Sequence, residues 1–226
     1  MSLAVAEKYD RIADGFAERS WANLAYDMEH RLRVATTWGT PLRSGDQVLE
    51  LGCGDGYLAQ LFIRHGLSYR GLDISPRMIS MAERRFAPTG AAPRFDIGNA
   101  AQLRLSEPVD AVVSYMGAFF TFVENPQPLL HQLRPYIRKK IVLDLNPRGR
   151  ITLRSAIEML AAAGFVKIAW RPFFVPMTVK LPGVVLQALS LCENLPGLRS
   201  LPLRWRFDLI LKGEIPNGEC ASTVRE

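Results

Sequence analysis

The residues with the clearest chemical meaning stand together at Val48-Leu49-Glu50-Leu51-Gly52-Cys53-Gly54-Asp55-Gly56-Tyr57. The short apolar run predicts a strand. The alternating glycines after it predict a tight turn whose backbone can approach a ligand closely, because no side chain stands in the way. A helix starting near Tyr57 would present unpaired N–H groups and its positive dipole end to the same corner, which suits anions and carboxylates. Asp73 closes a second apolar run 17 residues after Gly56. There a carboxylate can accept hydrogen bonds from both hydroxyls of a ribose. The spacing is GxGxG, and Tyr57 stands where a dinucleotide pattern has Gly or Ala, so a dinucleotide fits poorly.

These residues need elements to hold them. From Val48 onward, short apolar runs alternate with helical stretches in the rhythm of a parallel sheet covered on both faces. Strands are predicted over 48–51, 69–72, 94–97, 109–115, 141–145, 165–170 and 205–212. Helices are predicted over 57–65, 76–85, 128–138 and 154–163, the second opened by Ser75 as N-cap and Pro76 in the first turn. Tyr9, Ile12, Ala13 and Phe16, then Leu24, Met28, Leu32 and Ala35, recur at helical spacing, so one or two helices precede the first strand as a lid or flank. Tyr115 falls at the carboxyl end of the fourth predicted strand, where open α/β sheets place their ligands.

The segment Glu50 to Gly56, ELGCGDG, resembles the first motif of the class I S-adenosylmethionine-dependent methyltransferases, and the resemblance covers residues 5 to about 175. Asp73, Ile74, Ser75 and Met78 match that family's DxSxxM run. There the acid holds the ribose, and Ile74 would pack on the adenine. Gly98-Asn99-Ala100 is similar to the family's GDA motif, whose acid accepts from the adenine amino group. Asn99 is a departure, and its amide oxygen is a weaker acceptor than a carboxylate. Tyr9-Asp10 with Ala13 resembles the YDxxA segment of small-molecule members, such as the ubiquinone and menaquinone methyltransferases, in which an N-terminal helix folds over the cofactor. The resemblance implies S-adenosylmethionine as cofactor, held by Tyr9, Glu50, Gly52, Gly54, Gly56, Asp73, Ile74, Met78, Asn99, Ala100 and Tyr115. It also implies a three-layer Rossmann-like α/β fold with seven strands in the order 3-2-1-4-5-7-6, strand 7 antiparallel. Residues 1–213 would form one domain, with 1–40 as helical lid, 172–204 as an apolar insertion before the last strand, and 214–226 as a frayed tail.

Composition bounds the rest. Hydrophobic residues at 48% and charged residues at 22% are ordinary globular values. Cys53, Cys192 and Cys220 form no CxxC pair and no metal-ligand spacing, so no metal is expected. The start lacks the basic region, long apolar stretch and cleavage site of a signal peptide, so a cytoplasmic location is expected. Of the three histidines, His30, His65 and His131, only His30 is placed to reach the site, and no side chain is assigned as catalytic. Methyl transfer runs by in-line attack, which alignment in a dry pocket can accelerate without a dedicated base.

The acceptor is expected to be a small hydrophobic or anionic metabolite. The net charge of +6 comes from the second half, where basic residues outnumber acidic ones 14 to 4 between Gln132 and Lys212. That patch keeps open an RNA or protein acceptor, with a noncatalytic partner subunit as a further alternative. The (N/D)PP(Y/F) motif of amino-methylating nucleic-acid enzymes is missing after strand four, and no sequence-specific nucleic-acid partner is expected. The apolar insertion suggests peripheral membrane contact through 181–206, with Arg199, Arg204 and Arg206 meeting phosphates.

Overall fold

A computed structural model describes residues 3–87, 93–116, 118–195, 197 and 208–216. Three helices lead, α1 (Leu3–Ile12), α2 (Phe16–Ser20) and α3 (Leu24–Thr37), followed by β1 (Gln47–Leu51), α4 (Tyr57–Arg64), β2 (Ser68–Asp73), α5 (Pro76–Phe86), β3 (Arg94–Ile97) and β4 (Val109–Ser114). Then come α6 (Ala118–Phe122), α7 (Pro126–Leu133), β5 (Ile137–Leu145), α8 (Leu153–Ala162), β6 (Val166–Phe173), α9 (Gly183–Cys192) and β7 (Asp208–Glu214). The seven strands form one sheet in the order β3-β2-β1-β4-β5-β7-β6. β7 is antiparallel to both of its neighbours. The expected architecture and strand order are both present.

Strand periodicity splits the interior into two cores. Leu49, Leu51, Val112, Ile141 and Leu143 point to one face and pack with Phe119 and Phe120 of α6, Leu130 and Leu133 of α7 and Leu160 of α8. Val48, Ala111, Val113 and Val142 point to the other, against Met28 and Leu32 of α3, Phe62 of α4 and Ile79 of α5. β4 is buried at every position, as a central strand of a doubly covered sheet must be.

Several boundaries differ from the sequence expectation. Three helices precede β1, since Gly15 in the left-handed region separates α1 from α2. The helix expected over 128–138 runs from Pro126 to Leu133 and passes into a 3-10 turn over Arg134–Tyr136, because Pro135 has no N–H with which to continue the α ladder. β5 therefore starts at Ile137, where it pairs with Val109. β6 runs on to Phe173 through Pro172, which an edge strand tolerates. β7 extends through Glu214, and Ile215 is buried, so the tail does not begin at 214. Residues 205–207 of the expected last strand, most of the tail, and Arg199, Arg204 and Arg206 lie outside the described residues.

The segment between β6 and α9 is bolted to the N-terminal helices. Asn23 Nδ2 donates to Pro176 O (2.9 Å) and Val179 O (2.7 Å), its Oδ1 accepts from Leu181 N–H (3.1 Å), and Ala22 N–H donates to Met177 O (2.7 Å). Glu193, fully buried, accepts from Phe174 N–H, Arg171 and His30. Arg33 donates to His30 Nδ1, which leaves Nε2–H to donate to Glu193. His30 is thus structural and sits outside the ligand cavity described below.

Asn23→Ala removes three hydrogen bonds and strands two carbonyls and an N–H. It should lower stability by about 2–3 kcal/mol, read as a reduced urea midpoint at unchanged slope.

Candidate functional site

A cavity of about 580 Å³ opens at the carboxyl ends of the strands. Its floor is the glycine corner. Gly52 N–H and Cys53 N–H both donate to Leu72 O (2.7 and 3.2 Å), tying the turn after β1 to the end of β2. Gly54 has φ +54°, and a Cβ built on it would meet nothing within 4 Å, so the space beside it is left for a ligand. Gly56 works differently: a Cβ there would come within 2.9 Å of the Ala82 Cβ, so this glycine allows α4 to pack on α5. Asp73 Oδ2 accepts from Gly54 N–H and Oδ1 from Ser75 N–H, both at 2.9 Å, which fixes the carboxylate with a lone pair on each oxygen still available. Burial raises its pKa, and the same two N–H bonds oppose that rise.

Of the residues singled out in the sequence, Tyr9, Gly52, Gly54, Asp73, Ile74, Met78, Ala100 and Tyr115 line this cavity. Glu50, Gly56 and Asn99 do not line it. Asn99 uses its Oδ1 to accept from Ala101 N–H (3.0 Å), capping the short turn over Ala100–Gln102. Ile74, Met78, Gly98 and Ala100 form an apolar slot next to Asp73, of the kind a flat heteroaromatic ring fills.

The roof is α1. Asp10 Oδ1 accepts from Ser75 Oγ (2.5 Å) and from Arg77 N–H (3.1 Å), and Asp14 pairs with Arg77. The half-buried Tyr9 ring meets Phe16 and Phe122 edge-on, each at 5.8 Å between centroids, and Phe16 meets Trp21 at 5.4 Å. Asp55, from the glycine turn, accepts from Ala17 N–H and from Arg85, joining α2 to α5.

Sequence reasoning missed the far wall. Trp21, Asp27, Arg31, Met116, Val175, Met177 and Asp208 all line the cavity. Arg31 is 2% exposed. Its Nε donates to Asp27 (2.6 Å), and its Nη atoms reach Asp144 and Asp208 at 3.5 Å each. Its guanidinium lies 4.3 Å from the Phe173 ring centroid; burial acts to lower its pKa, but the three carboxylates together outweigh that and hold it above the usual arginine range. Tyr115 donates its hydroxyl to Arg31 O (3.0 Å). Met116 sits at φ +62°, a left-handed conformation that costs a non-glycine residue about 1–2 kcal/mol and here falls at the cavity wall. One signal for Arg31 was present: Asp27 and Arg31 are i,i+4 on α3 and alternate with the core residues Met28 and Leu32.

Residues 48–140 match a family profile described as a methyltransferase domain. The ribosomal protein L11 methyltransferase of Thermus thermophilus is 33% identical to the chain over 133 residues, covering 55% of this chain and 47% of that protein. The chain spans about half the length of the curated relatives it matches. Among solved structures, the magnesium protoporphyrin IX methyltransferase of Synechocystis PCC 6803 with bound S-adenosylmethionine has a TM-score of 0.59 at 18% identity, covering 96% of this chain and 86% of that one. The 4+2 cyclase SpnF has a TM-score of 0.67 at 17% identity, covering 95% and 96%. At such identities the likeness is one of fold.

Glu50 supplies a pH-dependent term beneath the site. It is 1% exposed, its Oε2 accepts from the Tyr69 hydroxyl at 2.5 Å, and its Oε1 meets no donor among the described residues. Burial, opposed by the Tyr69 bond and reinforced by Asp73 and Asp55, pushes its pKa up to about 8 from 4.5. Between those values the folded protein holds a proton that the unfolded chain has released, so stability falls as pH rises across that window. Glu50→Gln should remove this slope, at most about 1.4 kcal/mol per pH unit. Thermal melts from pH 5 to 8.5 should then show the wild type losing more stability than the variant.

Proposed function

We propose, on the premise that residues 48–140 form a class I S-adenosylmethionine-dependent methyltransferase domain, that the chain transfers the cofactor's methyl group to a small acceptor with an apolar body. The observation that carries this reading is the roofed cavity. Its glycine floor and Asp73 lie at the ends of β1 and β2, and its remaining wall of Trp21, Phe122, Val175 and Arg31 lies toward β4, β5 and β7. A volume of about 580 Å³ falls in the range of small-molecule sites.

The residues present fit the cofactor. Gly54 leaves open space, Asp73 offers two fixed carboxylate oxygens to a ribose, and the slot of Ile74, Met78 and Ala100 accepts an adenine. S-adenosylmethionine supplies an electrophilic methyl group on a sulfonium. The chain's contribution is then alignment and exclusion of water. Tyr9, Phe16, Trp21 and Phe122 close the roof with aromatic edges, and Tyr115 is fixed by its bond to Arg31 O. Bringing two reactants together in a dry, fixed geometry can supply several kcal/mol of the barrier reduction without a general base.

The distribution of charge favours a small acceptor over a polyanion. Much of the basic excess in the second half is used internally. Lys140 is fully buried and donates to Trp38 O (2.9 Å), capping the end of α3, while Arg171 and Lys212 are paired with Glu193 and Glu214. Lys139 and Arg138 meet Asp46 and Asp110 from the first half. Counting along the chain overstates the positive field that a nucleic acid would meet.

Calorimetry with S-adenosylmethionine and S-adenosylhomocysteine tests the site. The wild type should bind both, and Asp73→Ala should weaken binding at least tenfold, about 1.4 kcal/mol. Failure of the wild type to bind either overturns the reading. With methyl-labelled cofactor and a cell extract, label should appear in the solvent-extractable, low-mass fraction; label confined to RNA or protein would overturn the small-molecule assignment.

A further inference from the structure

Helix α9 leaves much of its aliphatic surface facing outward. Its sequence, GVVLQALSLC, is apolar almost throughout, yet two of its inward positions are polar. Ser190 is 6% exposed and accepts from the Tyr26 hydroxyl (3.0 Å), and Glu193, just past the helix end, is fully buried under Phe174 and Arg171. The outward side carries Val184 and Leu191, each 72% exposed, with Leu195 at 53% and Val185 at 40%. Val184, Ala188 and Leu191 follow one another at i, i+4 and i+7, a single stripe along the helix, and Leu195 lies just past its end. Leu186 is buried and Gln187 exposed in the ordinary way, but the aliphatic groups left outward gain nothing from water on that side.

The exposed apolar surface continues beyond the helix. Met177 and Val179, in the segment that Asn23 clamps, are 46% and 55% exposed, and Met177 also lines the cavity. The stripe and the cavity mouth thus lie on one connected stretch of chain. Apart from Glu193, the charged residues in the sequence from Val179 to Phe207 are all cations. Lys180 lies between Val179 and α9, and the sequence following α9 carries Arg199, Arg204 and Arg206. Glu193 is buried and paired with Arg171, so it presents no negative charge outward. Aliphatic side chains flanked by cations match a bilayer with anionic headgroups, in which each cation near the surface adds attraction and the aliphatic groups enter the acyl boundary.

We propose that the outer face of α9, with Met177 and Val179, docks peripherally on an anionic lipid surface and holds the mouth of the cavity against it. No helix among the described residues is long and apolar enough to cross a membrane, so the contact is one of lying on the bilayer. The docking stands on the geometry of α9 and does not depend on the methyl-transfer reading.

The test is co-sedimentation of the full chain with vesicles of phosphatidylcholine alone and with 30% phosphatidylglycerol, at about 0.05 and 0.3 M salt. Binding to the anionic vesicles, weakened by salt and reduced at least tenfold in the double variant Val184→Glu, Leu191→Glu, is the expected result. The variant's circular dichroism and its affinity for S-adenosylhomocysteine should match the wild type, since neither residue lines the cavity. A wild type that stays in the supernatant with both vesicle types overturns the proposal, as does a double variant that binds as well as the wild type. A concentration-dependent dimer that the double variant abolishes, without vesicle binding, also overturns it and assigns the face to a second copy of the chain.

Discussion

One buried cation fixes the relation of the N-terminal helices to the sheet. Arg31 projects from α3 onto the carboxyl end of β5 and the amino end of the antiparallel β7, where Asp144 and Asp208 face it, while Asp27 holds its Nε from the same helix. Taking a guanidinium out of water costs several kcal/mol, and that cost is recovered only if opposite charges and stacking surfaces are already in position. Phe173 on β6 and Tyr115 after β4 supply those surfaces, so four strands and one helix must all be in register for Arg31 to be tolerated. The set is therefore a condition on the whole architecture more than a source of stability. A helix α3 rotated by one residue would leave Asp144 and Asp208 facing each other without their cation.

Given α3 in that place, the cavity follows. α3 brings Asn23 at its start to the segment after β6, and the three bonds of that amide set the position of Met177 and Leu181. α2 and α1 precede it and fold back over the glycine corner, where Asp55 and Ser75 receive them. The corner itself is independent of this arrangement. Its geometry comes from backbone bonds between the turn and Leu72, and from Asp73 accepting from Gly54 N–H. A rigid floor thus meets a roof held by side chains. Roofs of that kind can open without disturbing the floor, because the side-chain bonds that hold them are few.

The sequence displayed the floor and concealed the wall. Glycines at 52, 54 and 56, Asp73, and the strand rhythm from Val48 are local signals: each is dictated by a turn, a strand end or a period of two. Gly56 shows the limit of even that kind of evidence, since it looks like a ligand glycine and is spent on α4 packing against Ala82. Asn99 likewise caps a turn. The far wall, by contrast, is made of pairs separated by more than a hundred residues, such as Arg31 with Asp144 and Asp208, or Asn23 with Val179. Nothing in local spacing reports such pairs. The basic second half likewise has charges met by carboxylates of the first half, Lys139 by Asp46 and Arg138 by Asp110.

Helix α9 joins these two lessons. Its apolar character was visible in the sequence, but a run of aliphatic residues fits a core helix and an exposed one equally well. What separates them is where the polar residues go. Here Ser190 and Glu193 turn inward, because the partners that satisfy them, Tyr26, His30 and Arg171, stand on α3 and β6. With Leu186 in the core and the positions of Ser190 and Glu193 committed to hydrogen bonds, Val184, Val185 and Leu191 are left on the outside. The outward apolar stripe is thus a consequence of how the segment is anchored, and the same anchoring that shapes the far side of the cavity also turns a hydrophobic surface toward whatever lies at its mouth.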